Sequence, residues 1–251
     1  MAKFPPLILV LCLLLVAGLV GCGSSRDGES ITVFAAASLT KTFTEIGERF
    51  KSANPGTSVE FSFAGSADLV TQLAQGASAD VFASADTNNM VKAEQAELLA
   101  GDPVNFASNT LTIVTAPGNP KQVASFADLN KPGVSVVVCA SQVPCGSATE
   151  RAEEATGTTL NAVSEESSVT DVLNKVTSGQ ADAGVVYTTD ALAAGDKVTT
   201  VNFAESSVAV NTYPIAVLNG APKPELARKF VDLVTGEYGQ KVLSEAGFGK
   251  P

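Results

Sequence analysis

The sequence predicts an α/β protein in which mostly parallel sheets are covered by helices. Short apolar runs typical of buried strands alternate with amphipathic helical patterns along nearly the whole chain. The chain has 251 residues, of which 45% are hydrophobic and 17% charged, so it is globular and long enough for a substantial core. Two half-size sheets joined by a hinge fit this order of elements better than one large sheet.

The N-terminus predicts export. Lys3 precedes an apolar run, Leu7 to Val20, that is short for a membrane span and ends in small residues. Leu19-Val20-Gly21-Cys22 resembles the lipobox of bacterial lipoproteins, which implies cleavage after residue 21 and lipid attachment to the Cys22 thiol. The alternative is an uncleaved N-terminal anchor. We expect residues 1–21 to be a signal peptide and the polar residues 22–30 to be a flexible tether.

The first strand and helix of the folded part meet at Ser38. Ile31 to Ala37 is a continuous small-apolar run, which is typical of a strand buried on both faces. From Leu39 the apolar residues recur at helical spacing, as Leu39, Phe43, Ile46 and Phe50. Ser38 therefore offers a hydroxyl beside the free amides of a helix start, which outlines a small anion site. The alternative is that Ser38 only caps its helix.

A second strand-to-helix switch repeats this arrangement at Ser66. Ser58 to Phe63 alternates as a strand, and Ala64-Gly65-Ser66 turns it into a helix. Gly65 would let backbone approach a ligand without an intervening side chain. A third buried strand, Ala79 to Ser84, is flanked by Asp80 and Asp86, which we interpret as turn residues and not as metal ligands.

The cysteines are explained by position. Cys12 lies in the signal peptide and Cys22 carries the lipid, so Cys139 and Cys145 remain in an oxidising compartment. We expect them to form a disulfide that closes a short loop and contributes about 2 kcal/mol. A thiol pair that binds a soft metal is the alternative, although two ligands without histidine make a poor site.

The second half of the chain predicts further helix starts and a tyrosine at a strand end. We expect one helix to begin at Ser147 with Glu150 completing a capping box, and another at Ser167-Ser168. The strand Ala183 to Tyr187 ends in a tyrosine whose hydroxyl would lie where α/β proteins bind ligands. The alternative is a core tyrosine with a local partner.

The C-terminal part returns to the first sheet. Val198 to Phe203 and Val208 to Leu218 are predicted strands, and Pro214 predicts an edge or a crossing between lobes within the second of them. Glu225 to Val234 and Tyr238 to Ala246 are predicted to be closing helices.

Charge and the absence of histidine exclude several functions. The net charge of −10 argues against a nucleic-acid partner, and an anion would have to be captured by local dipoles in a closed site. Without histidine there is no Ser-His-Asp triad, no histidine metal site and no histidine proton shuttle. A serine-lysine or two-carboxylate enzyme stays formally possible, but no motif predicts one.

Six segments, in chain order, resemble the periplasmic molybdate-binding proteins of the ModA family, which serve ABC importers. They are FAAASLT, SFAGSADLV, ADVFASAD, VPCGSATE, SSVTDVL and AGVVYTTDA. The resemblance runs from about Ile31 to the C-terminus. It implies a type II periplasmic-binding-protein fold, in which two α/β lobes joined by a two-crossing hinge close on a tetrahedral oxyanion. Lobe I would comprise residues 31–107 and 212–251, and lobe II residues 108–211.

The resemblance also implies which residues bind. Ser38 and Ser66 would contribute hydroxyls and amides from lobe I. Cys145 and Val169 would contribute backbone amides from lobe II, and Tyr187 its hydroxyl. The family commonly has alanine where this chain has Cys145, but because the amide binds, that change need not remove the contact.

All five positions offer donors and none is a carboxylate, which favours a fully ionised dianion over a protonated one. We therefore expect a lipid-anchored, monomeric receptor on the extracytoplasmic face of the cell membrane. It would capture molybdate or tungstate for an ABC permease, with no cofactor, no catalytic residue and no metal beyond the oxyanion.

Three alternatives follow from the same residues. Another tetrahedral oxyanion such as sulfate would fit the same donors. Iron(III) held by tyrosines is disfavoured, because only Tyr187 of the three tyrosines lies at a predicted cleft position. A secreted enzyme with Ser38 or Ser66 as nucleophile lacks a histidine base, and Lys41 follows Ser38 by one helical turn, where we expect it to point along the surface.

Overall fold

The computed structural model describes residues 29–251. The predicted signal peptide, the predicted lipidation site Cys22 and residues 23–28 of the predicted tether lie outside the described residues. The prediction is wrong for the last two tether residues, because Glu29 and Ser30 begin the first strand and pair with Thr57 and Ser58. Backbone pairing thus extends this strand beyond the apolar run that marks it in the sequence.

The first sheet has five strands, and we call it, with its helices, the first lobe. In spatial order the strands are β2 (Thr57–Ala64), β1 (Glu29–Ala36), β3 (Val81–Ala83), β10 (Asn211–Val217) and β4 (Val104–Asn109). β1 is parallel to both β2 and β3, whereas β10 is antiparallel to β3 and β4. β1 lies between β2 and β3 and both of its faces are covered, which explains its apolar sequence.

The second sheet, which with its helices forms the second lobe, has the same plan. Its strands in spatial order are β7 (Ser164–Glu166), β6 (Val136–Cys139), β8 (Ala183–Tyr187), β5 (Leu111–Thr115) and β9 (Thr199–Val201). In each sheet the antiparallel fourth strand, β10 or β5, arrives directly from the other lobe. The chain crosses at Thr110 and again within 202–210. The predicted fold of two α/β lobes with two crossings is confirmed.

Helices cover both sheets. They are α1 (Thr40–Ala53), α2 (Ser66–Ala74), α3 (Thr87–Gln95), α4 (Pro144–Thr156), α5 (Val169–Thr177), α6 (Thr188–Ala194), α7 (Pro224–Thr235) and α8 (Glu237–Glu245). Phe43 and Phe50 of α1 both pack edge-on against Phe230 of α7, at ring-centroid distances of 5.8 and 5.6 Å. The C-terminal helices therefore close the first lobe. Within residues 29–251, none of the helices has the length and apolar character needed to span a bilayer.

Pro214 does not lie at an edge, so that part of the prediction is wrong. β10 runs between β3 and β4, with neighbours on both sides. The sheet accommodates the proline through a register shift between Tyr213 and Pro214 in the pairing of β10 with β4. A bulge is one of the few places where a strand tolerates the missing N–H of proline.

A disulfide joins Cys139, the last residue of β6, to Cys145 in the first turn of α4. The two Cα atoms are 5.6 Å apart, and both side chains are buried. The bond closes a seven-residue loop, Cys139 to Cys145, which contains the four-residue connection between strand and helix. Since both sulfurs are bonded to each other, they are not available as the soft-metal pair considered as an alternative.

We expect the C139A/C145A double variant to lower the free energy of unfolding by about 2 kcal/mol, because it frees this short loop in the unfolded chain. Urea denaturation of the oxidised wild type, the reduced wild type and the variant measures the effect. Reduction should shift the wild-type midpoint toward that of the variant. Identical midpoints for oxidised and reduced wild type would contradict the assignment.

Asp190 is a buried carboxyl in the first turn of α6. Its Oδ2 atom has no hydrogen-bond partner among the described residues. Burial raises the pKa of this carboxyl to about 7, although backbone hydrogen bonds from Tyr187 and Asp190 lower it in part. The folded state therefore holds the Asp190 proton more tightly than the unfolded chain does.

This difference makes stability depend on pH. The stabilising effect of the bound proton is complete below the unfolded pKa of about 4 and is lost as pH rises through about 7. We expect D190N to unfold at higher temperature than the wild type near neutral pH, with the gain in unfolding free energy reaching about 4 kcal/mol at most. The gain should vanish in acid. A gain that does not change with pH would show that Asp190 is already ionised in the folded protein.

Candidate functional site

The structure brings all five predicted site residues to one cavity between the lobes. Ser38, Ser66, Cys145, Val169 and Tyr187 all line it, with uncharged neighbours from both lobes. The positions follow the carboxyl ends of parallel strands in the two sheets, which is where open α/β sheets bind ligands. The cavity volume is about 10 Å³, which is about what one water molecule needs. The lobes are thus close together around this point.

Two wider clefts open beside this cavity. One of about 540 Å³ lies between the start of α1 and the start of α6, and the other, of about 280 Å³, between the starts of α2 and α5. Both are lined by residues of both lobes, and both include Ala37 and Thr40. They are the wider parts of the interlobe cleft, and Ser38 lines the larger of them as well as the small cavity at which all five predicted residues meet.

Ser66 is the first residue of α2 and is almost fully buried. Its Oγ accepts a hydrogen bond from the backbone amide of Ala85 at 3.0 Å. The helical hydrogen-bond ladder begins with the amide of Asp68, so the amides of Ser66 and Ala67 precede it. With its oxygen already bonded, Ser66 can offer both a backbone N–H and its hydroxyl proton to a ligand.

Ser38 is not a helix cap, so that alternative is wrong. It lies in a 3₁₀ turn, Ala37–Leu39, and α1 begins only at Thr40, with no side-chain capping hydrogen bond from Leu39. Ser38 Oγ lies instead 3.0 Å from the hydroxyl of Tyr213, 175 residues away in sequence. The hydroxyl is therefore part of the interior of the site.

The second lobe contributes two helix N-termini. α4 begins at Pro144 and not at Ser147, whose Oγ donates to the Pro144 carbonyl, so the capping-box prediction is wrong. Proline is favoured at the first helical position because its missing N–H would be unpaired there anyway. The amide of Cys145 follows it at the helix start. Val169 begins α5, where Ser168 caps the helix by accepting from the Asp171 amide, as predicted.

Tyr187 ends β8 with its ring buried, 1% exposed. Its hydroxyl oxygen accepts a hydrogen bond from Asn211 Nδ2 at 2.7 Å. Burial raises the pKa of this hydroxyl well above its ordinary value, so Tyr187 stays neutral and keeps its proton. It can therefore act as a donor at the cavity.

Tyr213 is a functional candidate that sequence reasoning missed. Among the described residues that line the cavity the one tyrosine is Tyr187, as expected, and Tyr213 lies behind it, with its hydroxyl bonded to Ser38 and its ring edge-on to that of Tyr187. Burial raises the pKa of Tyr213 as well. Two neutral tyrosines do not supply the anionic oxygens that iron(III) requires. Residues 29–251 contain no cluster of three side chains able to hold a metal ion.

Asn109 and Asn211 were also missed. Asn109 Nδ2 donates to the Tyr213 hydroxyl at 3.3 Å, and Asn211 Nδ2 donates to Tyr187. In the sequence, the only local signal for this region was the pair Tyr213-Pro214, which predicted a crossing between the lobes. The pairing of residues about a hundred positions apart carries no local signature in a single sequence.

The electrostatics of the cavity come from dipoles. The twelve residues of the described chain that line it are all uncharged. Helices or 3₁₀ turns begin at or next to Ser38, Ser66, Cys145 and Val169, so first-turn amides lie at the cavity, and each helix start carries partial positive charge. Such an arrangement can bind a small anion by hydrogen bonding and cannot readily bind a cation.

Comparison with known proteins identifies relatives of the chain. Residues 31–249 match the family model described as bacterial extracellular solute-binding protein. The molybdate-binding protein ModA of Mycobacterium tuberculosis strain H37Rv is 58% identical over 248 residues, which is 95% of each chain.

Solved structures share the fold. The periplasmic molybdate-binding protein of Azotobacter vinelandii aligns with a TM-score of 0.77 at 21% identity, covering 88% of this chain and 99% of that one. The sulfate-binding protein SubI of Mycobacterium tuberculosis H37Rv also aligns with a TM-score of 0.77 at 21% identity, covering 88% and 86%. The fold alone therefore does not distinguish molybdate from sulfate.

Proposed function

Because this chain belongs to the bacterial extracellular solute-binding proteins, and among them to the ModA family, we propose that it captures molybdate between its two lobes for an ABC importer. The observation that carries the proposal is the 58% identity to a molybdate-binding ModA over 95% of both chains. The geometry agrees, since both lobes contribute uncharged donors to one closed point.

The five predicted residues have the chemistry that a dianion requires. Hydroxyls of Ser38, Ser66 and Tyr187 and amides of Cys145 and Val169 all donate hydrogen bonds. None of these groups is a carboxylate that could accept a proton from the ligand. The protein as a whole has a net charge of −10, so long-range attraction does not help the anion to bind. Capture depends on contacts made within the cleft.

Tungstate is a second ligand in this proposal, because it shares the shape and charge of molybdate. Sulfate shares them too but is smaller, so discrimination against it depends on cleft size. The solved sulfate-binding relative has the same fold, which keeps sulfate as the alternative ligand.

The remaining parts of the proposal concern location and partners. We infer that the chain is anchored through lipid on Cys22 at the extracytoplasmic face and delivers its ligand to an ABC permease as a monomer. We infer no catalytic role for Ser38 or Ser66, because their hydroxyl partners are the Tyr213 hydroxyl and the Ala85 amide, neither of which is a general base.

Ligand-dependent stabilisation tests the proposed function. We expect molybdate and tungstate at a hundred times their dissociation constants to raise the unfolding free energy by about 2.7 kcal/mol. Sulfate at the same concentration should give little protection. Thermal unfolding with each anion, followed by calorimetric titration, provides the measurement. Equal protection by sulfate would replace molybdate with sulfate as the ligand, and no protection by any of the three would reject the function.

Gly65 sets how closely the lobes approach. A Cβ atom at this position would lie 2.0 Å from the backbone carbonyl oxygen of Ser167 in the second lobe. The backbone of Gly65 itself is ordinary, with φ −60° and ψ 138°, so alanine causes no local strain there. Only contact between the lobes requires glycine at this position.

We expect G65A to weaken molybdate binding by at least about tenfold, or about 1.4 kcal/mol, because the added methyl group holds the lobes apart. Unfolding without ligand should change little. G101A is the matched control, since a Cβ at Gly101 meets nothing within 4 Å. If G65A binds as tightly as G101A, the lobes do not need this close approach in the liganded state.

A further inference from the structure

Two buried asparagines stand at the two chain crossings. Asn109 is the last residue of β4, just before the first crossing, and Asn211 is the first residue of β10, just after the second. They are direct partners in the pairing of β10 with β4, and each is at most 4% exposed. The side chains of Asn109 and Asn211 therefore lie at the two crossings that join the lobes, next to the predicted binding residues.

The orientation of the Asn211 amide is determined by its neighbours. Its Oδ1 accepts a hydrogen bond from the guanidinium of Arg151, which can only donate. Nδ2 must then lie on the other side, where its two protons go to the Pro144 carbonyl at 2.9 Å and the Tyr187 hydroxyl at 2.7 Å. The Tyr187 oxygen is thus always the acceptor of this bond.

The Asn109 amide is oriented in the same way by a different group. Its Oδ1 accepts from the backbone amide of Thr110 at 3.0 Å, which is also a pure donor. Its Nδ2 therefore donates to the Tyr213 hydroxyl at 3.3 Å and to Thr189 Oγ1 at 2.7 Å. In consequence the Tyr213 oxygen accepts from Asn109.

A hydroxyl has one proton and two acceptor positions, so an oxygen that accepts from an amide keeps its proton available to donate to another group. Tyr187 has its oxygen bonded to Asn211, and its proton is left for the cavity it lines. With its oxygen bonded to Asn109, Tyr213 is able to donate its proton to Ser38 Oγ 3.0 Å away, and in that arrangement the Ser38 proton is left for the cavity. The Ser66 hydroxyl likewise keeps its proton available for the cavity, because its oxygen accepts from the Ala85 amide.

We propose that Asn109 and Asn211 are positioning residues that turn the hydroxyl protons of Ser38 and Tyr187 toward the bound oxyanion. The inference rests on the proposed function and specifies how that site recognises a fully ionised anion. Hydroxyls held in this direction present no lone pair to the ligand. An oxyanion that carries its own proton would place that proton against a donor, so it binds poorly.

Replacing either asparagine with aspartate reverses the direction of its hydrogen bond to the tyrosine hydroxyl, with almost no change in the shape of the side chain. The second oxygen that replaces Nδ2 accepts the tyrosine proton, and the hydroxyl then presents its oxygen to the anion. Aspartate also adds a negative charge, which repels any dianion by itself. The experiment must therefore separate reversal of the hydroxyl from added charge.

A double-mutant cycle with molybdate makes this separation for Asn211. N211D is measured by calorimetry in the wild type and in the Y187F background, where there is no hydroxyl to reverse. We expect N211D to weaken molybdate binding at least 100-fold in the wild type and less than tenfold in the Y187F background. N130D, an exposed substitution of the same kind, controls for charge and should leave affinity within twofold.

The corresponding cycle for Asn109 uses N109D with S38A and provides a second variant should N211D fold poorly. Equal penalties in both backgrounds, in either cycle, would overturn the proposal, because the asparagines would then act through charge or hinge structure alone. If the wild type binds sulfate and not molybdate, the proposed ligand fails, and the same cycles with sulfate still test the asparagines.

A second readout uses hydrogen phosphate above its second ionisation, a dianion that retains one proton. The added charge of N211D affects both dianions alike, so the ratio of molybdate to hydrogen phosphate affinity reports the direction of the hydroxyl. We expect that ratio to fall at least tenfold in N211D and to stay unchanged in N130D. An unchanged ratio in N211D would contradict the proposal.

Discussion

A buried hydroxyl has a single proton, and this constraint determines how the rest of the site must be built. A hydroxyl can serve as a reliable donor to a ligand only if its oxygen already accepts from another group. Here the three hydroxyls at the cavity each have such support, from the Ala85 amide, from Asn211, and from Asn109 by way of Tyr213. Each of these hydrogen-bond chains starts at a backbone or amide N–H group, which cannot change from donor to acceptor. The hydroxyls of Ser66 and Tyr187 accept from such a group directly, and Ser38 is linked to one through the Tyr213 hydroxyl.

The topology explains why the supporting groups are available at this point. In both sheets the parallel strands end at the cleft, so the following helices or 3₁₀ turns begin there and their first-turn amides lie next to the same space. The strand that arrives from the other lobe is inserted into each sheet next to these ends. Asn109 and Asn211 lie where the chain leaves and re-enters the first lobe, and they are paired across β4 and β10. The hinge thus provides the contacts that orient residues of both lobes.

Local sequence patterns were sufficient for Ser38, Ser66 and Tyr187, and insufficient for the other residues at the cavity and for those behind them. The switch from strand to helix predicts Ser66, and the end of an apolar strand predicts Tyr187, because both signals lie within a few residues. The family resemblance added Cys145 and Val169, whose side-chain types say nothing about an amide contact. Tyr213, Asn109 and Asn211 depend on strand pairing and on contacts between residues 24 to 175 positions apart, which a single sequence does not reveal. Pro144 in place of Ser147 as a helix start shows a further limit, since both residue types favour helix N-termini.

Two carboxyls, Asp86 and Asp190, influence the electrostatics around the site. Besides burial, Asp86 and Asp190 raise the pKa of the Tyr187 hydroxyl, so both carboxyls lie close enough to act on it. Ionised carboxylates in these positions would also repel a dianion in the cavity. Burial raises the pKa of Asp190 to about 7, whereas hydrogen bonds from Asn89 favour the ionised form of Asp86 against the effect of its burial. Since both tyrosines are neutral and the described residues that line the cavity are uncharged, helix-start amides and hydroxyls are the dipoles nearest to it. An acidic protein can in this way hold a doubly charged anion without a lysine or arginine at the cavity.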